Sequence, residues 1–360
     1  MDKKTMMEKL VKEAYEKGIF MGTWLFAEDS EIVSKGAVGW RDPENSLSMR
    51  EDSIFELASV SKQFTAAAIM LLRKRGLLSL EDELTKFFPE NPYQGITIRH
   101  LLNHTSGLPD HEEWIIESLK VENMIPDNDI VVRFLKECGE EPLFAPGEKF
   151  EYSNTAYCLL AEIIGQVSGV QFEDFMQKEI FEPAGMFSTR VCHIRKEGIP
   201  FENFARGLVP ENGRYVLPDD SEEYHYVIPL DGESGDGFVC TNIFDMFAWD
   251  RALREEKLLN KEEQMMMFTP GKLNNGENGG WGVEDEIGYG FGWDILRDQK
   301  LGLIVCHDGC WPGYDTYFER CIDVEKVLIV LCCRKSLDWR EFVSFLDGMK
   351  AIARGKAPEE

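Results

Sequence analysis

A chain of 360 residues, 43% hydrophobic and 11% aromatic, carries more apolar material than one small core absorbs, so two lobes are expected. Its 65 acidic against 39 basic side chains give a net charge of −26, with no basic run to offset it, which argues against nucleic acid and anionic membrane as partners. Nine cysteines, several inside apolar runs (Cys158, Cys306, Cys332, Cys333), read as buried free thiols rather than a disulfide framework.

Met1 to Gly18 alternates charged and apolar residues at helical spacing and lacks the apolar centre of a signal peptide, so it reads as a surface helix of a cytoplasmic protein. Ala66 to Leu72 and Val327 to Cys333, the longest apolar stretches, are far shorter than a membrane span requires. Met21 to Ala27 and Glu31 to Trp40, rich in aromatic and β-branched residues, flank the polar turn Glu28-Asp29-Ser30 and predict a β-hairpin. A helix is expected from Ser59 to Leu78, with Ser59 at its N-terminus.

Residues 81–284 read as helical pieces broken by Pro and Gly, among them Asp129 to Cys138, Thr155 to Ser168 and Phe172 to Ile180. Gly288 to Leu296, Leu301 to His307, Tyr314 to Ile322 and Lys326 to Cys333 are strand-like and predict an antiparallel meander, closed by a helix from Asp338 to Arg354. The fold class that follows is a two-lobe α/β (α+β) protein. An antiparallel sheet built from both chain ends (1–80 and 285–360) carries an inserted, mostly helical lobe (81–284), with the active site in the cleft between them.

Three short constellations carry chemistry. In Ser59-Val60-Ser61-Lys62, a three-residue spacing on a helix puts the hydroxyl and the amine one turn apart on one face. A desolvated lysine can take a serine proton, and a helix N-terminus can face developing negative charge. Tyr152 and Asn154 follow a loop and open a helix; a phenol there can share a lysine's proton, and an amide can hold both that lysine and a substrate carbonyl. His307-Asp308-Gly309 ends a strand, where the glycine would let a substrate approach and the Cys310 amide could donate to an oxyanion. Each is weak alone; their conjunction is informative.

In the order Ser-x-x-Lys, Tyr-x-Asn, His-x-Gly, the sequence resembles the serine β-lactamase and penicillin-binding protein superfamily, in particular its class C branch with the related esterases and D-amino-acid peptidases. Further segments look like that family: Ile98 to Leu108 (IRHLLNHTSGL), Ile180 to Met186 (IFEPAGM), Gly235-Asp236-Gly237 and Tyr289 to Trp293 (YGFGW). The resemblance implies that Ser59 is acylated, Lys62 and Tyr152 manage its proton, Asn154 holds the acyl amide or carbonyl, and the amides of Ser59 and Cys310 form the oxyanion hole. Where the β-lactamases have Lys-Thr-Gly this chain has His307-Asp308-Gly309, without the cation and hydroxyl that receive a β-lactam carboxylate. An esterase or peptidase acting on small ester, amide or peptide substrates is therefore favoured over a true β-lactamase. The alternative is a catalytically silent relative that binds a ligand or partner in the cleft.

No cofactor is expected. Cys306, His307 and Cys310, even with His111 and Glu112, lack the second paired set that a zinc site needs. The glycines of Gly288 to Gly292 open a strand rather than a helix, unlike a dinucleotide loop. Gly232-Glu233-Ser234-Gly235-Asp236 misses the last glycine of a nucleophile elbow.

Overall fold

In the computed structural model, which describes residues 1–119, 125–283 and 285–355, the N-terminal alternation folds as helix α1 (Lys3–Glu16). It buries Met7, Val11 and Ala14 at helical spacing and leaves its lysines and glutamates in water. Strands β1 (Gly22–Glu28) and β2 (Glu31–Val38) form the expected hairpin, with Asp29 and Ser30 taking the positive φ that so tight a turn demands. Helix α2 (Lys62–Lys74) follows a 3₁₀ turn over Ala58–Ser61, so Ser59 stands at the helix entrance. The helix ends earlier than the sequence suggests, because Gly76 turns left-handed at φ 71°. Helix α3 (Asn154–Ser168) is capped by the Ser153 side chain at one end and left-handed Gly169 at the other.

The C-terminal part supplies strands β3 (Glu286–Tyr289), β4 (Asp294–Asp298), β5 (Gly302–Trp311), β6 (Tyr314–Cys321) and β7 (Lys326–Cys332), then helix α4 (Trp339–Arg354). All pairings in this seven-stranded sheet are antiparallel, in the order β3-β4-β5-β6-β7-β1-β2, so β1 from the N-terminal part zips directly onto β7. Gly288 to Leu296, expected as one strand, is two: the chain reverses at Gly290 to Trp293, where the Gly290 amide bonds the Trp293 carbonyl at 2.8 Å.

Both faces of the sheet are covered. Leu328 and Val330 of β7 pack with α1 and α4, whereas Val327, Ile329 and Leu331 turn to the other face and join the core that holds α2 and α3. This double burial makes β7 an unbroken apolar run rather than an alternating one. Residues 129–181 are largely helical, with a π turn over Met176–Phe181 ending the helix expected from Phe172. Between 190 and 241 the chain instead forms short strands, one of which (Val239–Thr241) pairs with Phe55–Glu56 just before Ser59. No helix among the described residues is long and apolar enough to cross a membrane. Residue 284 at the expected lobe boundary, and 356–360 at the end of the expected C-terminal segment, lie outside the described residues.

Candidate active site

Ser59 is positioned by backbone anchoring on both sides. The Leu57 amide bonds the Val239 carbonyl at 2.9 Å, and the Leu57 carbonyl accepts the Thr316 hydroxyl of β6 at 2.6 Å. Ala58 between them adopts φ 50°, a conformation costly for a residue with a side chain and held here by those anchors. The turn leaves Ser59 half-buried at the wall of a cavity, with Lys62 fully buried beneath it.

Lys62 Nζ lies 3.1 Å from Ser59 Oγ, 2.8 Å from Asn154 Oδ1 and 2.8 Å from the Asp236 carbonyl oxygen. It also sits 4.9 Å from the centroid of the Tyr152 ring. Burial pushes its pKa below the usual lysine value, while the acidic side chains nearby, Asp236 foremost, oppose that shift. Such an amine can alternate between accepting the Ser59 proton and returning it.

Tyr152 and Asn154 arrive from the loop that enters α3. The Ser153 side chain accepts the Ala156 amide at 3.1 Å, and the Ser153 amide donates to His104 Nδ1 at 3.1 Å, which fixes the backbone between the two side chains. The Asn154 amide group donates to Glu112 Oε1 at 2.7 Å, so the network sets its orientation: oxygen to Lys62, nitrogen to Glu112. The Tyr152 ring packs on His104 and stacks on Trp281, with centroids 4.2 and 5.4 Å away. Its buried hydroxyl makes no hydrogen bond of normal geometry among the described residues. Burial pushes this phenol well up, and the nearby Ser59 hydroxyl pulls the other way. His104, at φ 57°, is kept neutral by burial and by Lys62 and His307.

The third constellation is placed differently from the sequence expectation. His307 is not at a strand end but in the middle of β5, buried, with Nε2 2.9 Å from the Tyr289 hydroxyl and its pKa lowered by burial to about 4. Asp308 points to solvent, away from the cavity wall, yet its charge still weighs on Lys62 and Tyr152. The room at Gly309 is taken by the protein itself: a Cβ there would overlap the Leu57 oxygen and Thr316 Oγ1. Strand β5 thus approaches the Ser59 turn at the glycine, and it is this packing that the glycine serves. Cys310, one residue on, does line the cavity. His111, considered with the metal candidates, instead meets Glu233 at 3.0 Å and the Thr155 hydroxyl at 2.9 Å. Burial and the Glu233 charge oppose each other there, and the carboxylate wins, raising His111 to about 9.

The cavity has a volume of about 510 Å³, and Ser59, Glu112, Asn154, Cys310 and Lys335 are among the residues that line it. Glu112 and Lys335 are among the wall residues that sequence reasoning did not single out for this site. Their partners are distant in sequence, and only the adjacency of Glu112 to His111 drew notice.

A family model described as Beta-lactamase matches residues 7–342. Penicillin-binding protein 4* of Bacillus subtilis (strain 168) is 41% identical over 332 residues, which span 92% of this chain and 72% of that protein. Among solved structures, the octameric penicillin-binding protein homologue from Pyrococcus abyssi superposes with a TM-score of 0.82 at 27% identity, over 100% of this chain and 79% of the other. The D-amino acid amidase from Ochrobactrum anthropi SV3, complexed with L-phenylalanine amide, gives a TM-score of 0.80 over 99% of each chain; at 22% identity that likeness is one of fold.

Proposed function

The chain belongs to the Beta-lactamase family, and from that membership together with the surroundings of Ser59 we propose that it is a serine hydrolase acting through a covalent acyl-enzyme on esters, amides or peptides. The observation that carries the reading is the placement of Lys62 Nζ between Ser59 Oγ and Asn154 Oδ1. In the proposed cycle neutral Lys62 takes the Ser59 proton as Oγ bonds to the substrate carbonyl carbon. The amides of Ser59 and Cys310 hold the resulting oxyanion. Collapse expels the alcohol or amine, which takes a proton through Lys62 and Tyr152, and water then releases the acid by the same steps in reverse order.

Glu112, held beside Asn154 at the cavity wall, places a carboxylate near the reacting centre, which disfavours an anion there. The lack of a cation at His307-Asp308 disfavours β-lactams. Esters and small amides without an anion at the reacting centre are the substrates this reading selects.

The test is covalent capture. A fluorescent phosphonate should label the wild-type protein at Ser59 and fail to label Ser59→Ala, alongside hydrolysis of p-nitrophenyl butyrate by wild type alone. A folded protein that neither labels nor hydrolyses would point to the silent, ligand-binding alternative.

A further inference from the structure

The cavity that holds Ser59 and Asn154 has walls of unlike chemistry. Glu56, Glu112 and Asp236 are the acidic wall residues, whereas Lys335 is the one cation among the described lining residues. Tyr224, Tyr226 and Trp339 also line it, giving walls that are flat and aromatic with polar tips.

Lys335 is held rather than waving. It follows β7, where Arg334 bridges to Leu208 and the Lys335 amide bonds the Leu208 carbonyl at 2.9 Å. Its Nζ lies 2.9 Å from Cys310 Sγ and pairs with Asp315, with only 19% of the side chain exposed. An ammonium has three N–H donors. Two are engaged here, and the third has no acceptor among the described residues. Burial alone would lower its pKa, but Asp315 and Cys310 more than offset that, so the amine stays charged.

We propose that Lys335 is a specificity-determining residue that receives a carboxylate carried on the acyl part of the substrate, some atoms from the scissile carbonyl. This rests on the acyl-hydrolase reading above. The acyl group is the part retained through both chemical steps, and Lys335 shares the cavity with Ser59, its Nζ beside Cys310. His307 and Asp308, earlier on β5, do not line the cavity. A carboxylate at Lys335 meets a preorganised donor between aromatic walls, while the acids near Ser59 select against an anion placed at the reacting centre itself. The favoured acyl donors are therefore dicarboxylic half-esters or half-amides whose free acid reaches Lys335.

The experiment compares p-nitrophenyl butyrate with mono-p-nitrophenyl esters of the dicarboxylic acids from succinate through suberate. Wild type should turn over at least one chain length of the series better than butyrate. Lys335→Met should lower kcat/KM for that ester about tenfold or more and leave butyrate within about twofold; Lys335→Arg should retain an intermediate preference. Because Lys335→Met strands Asp315, the double variant with Asp315→Asn and melting curves of all proteins guard against a folding artefact. Equal losses on both substrates, or no loss on either, would overturn the proposal. If Ser59-dependent turnover is absent altogether, the acyl-hydrolase reading fails by itself. Calorimetric binding of monoanilides of the same dicarboxylic acids to Ser59→Ala, with and without Lys335→Met, then decides the Lys335 site: about tenfold weaker binding supports it, and equal binding overturns it.

Discussion

Gly309 of β5 packs directly against the Leu57 carbonyl: a side chain at 309 would overlap that oxygen and Thr316 Oγ1, and would lie 3.2 Å from the Ala58 methyl. This contact fixes the strained turn that presents Ser59, so the glycine serves the nucleophile through packing. Gly309→Ala should lower stability by roughly 1–3 kcal/mol, the usual cost of overpacking. It should also lower ester kcat/KM by about a hundredfold, because Ser59 lies two residues from the displaced carbonyl. A melting curve and a hydrolysis assay on one preparation check both effects; an unchanged pair of values would remove this role.

Ser59→Ala should abolish nearly all turnover, on the order of 10³-fold or more, since no neighbouring group can form the acyl bond in its place. Its hydroxyl is bonded to Lys62 at a half-exposed surface, so the fold should survive its loss. Ester hydrolysis alongside circular dichroism separates the two quantities, and a folded variant within about tenfold of wild type contradicts the assignment.

Tyr152→Phe should lower kcat far more than it raises KM. The phenol oxygen is buried near the Ser59 hydroxyl with no hydrogen bond of normal geometry among the described residues, which leaves it open to exchange a proton at the reacting centre. Were Tyr152 only a packed ring between His104 and Trp281, deleting its oxygen would leave kcat unchanged or even stabilise the protein. Steady-state kinetics with a single ester distinguish the cases.

The local parts of this architecture are legible in the sequence because short-range rules decide them. The β1–β2 hairpin announces itself in two β-branched runs around a polar turn, and the start of α2 in a small residue before good helix formers. The Tyr289 to Trp293 segment misleads because its aromatic run has strand composition, although Gly292, at φ 75°, presses onto the Lys62 backbone and forces a turn. The Glu112–Asn154 bond spans 42 residues and the Lys335–Cys310 contact 25, and no periodicity encodes either. His307 was misplaced by ending its strand too early, since Asp308 and Gly309 both have low strand propensity yet sit within the β5–β6 ladder.

Asp294 gives a pH-dependent prediction. Burial, reinforced by Asp308, raises its pKa to about 8, with the Trp281 indole N–H bond at 2.9 Å pulling the other way. Between about pH 4 and pH 8 the folded state therefore holds a proton that the unfolded chain releases, and stability falls as pH rises through that window. Asp294→Asn keeps an acceptor for Trp281 and removes the titration. The variant should lose less melting temperature between pH 5 and pH 8 than wild type and be the more stable of the two at pH 8. Glu56 and Glu233, both raised by burial to about 7, titrate in the same range, so the comparison between the two proteins carries the result. Parallel curves would show that Asp294 is ionised in the fold.

The last prediction concerns β-lactams. At neutral pH the motif position where the β-lactamases carry lysine presents a neutral, buried His307 and, beside it, the exposed acidic side chain of Asp308. Two like charges about 4 Å apart repel by roughly 4 kcal/mol at an effective dielectric of about 20, but only about 1 kcal/mol in bulk water. Asp308 is exposed, so the smaller figure applies, and the repulsion alone costs a β-lactam carboxylate less than about tenfold in affinity. The missing lysine removes a favourable contact besides, and the net charge of −26 adds a long-range penalty that salt screens. Lys335 does not compensate, because it is proposed to serve a carboxylate on the acyl part, whereas the carboxylate of nitrocefin lies on the side of the leaving nitrogen. The protein should therefore show a higher kcat/KM for p-nitrophenyl butyrate than for nitrocefin, with the gap narrowing but persisting as ionic strength rises. Measurement at two salt concentrations tests both parts: a gap that closes completely assigns the preference to long-range charge alone, and nitrocefin winning by about tenfold at both means that the absent cation does not govern substrate choice.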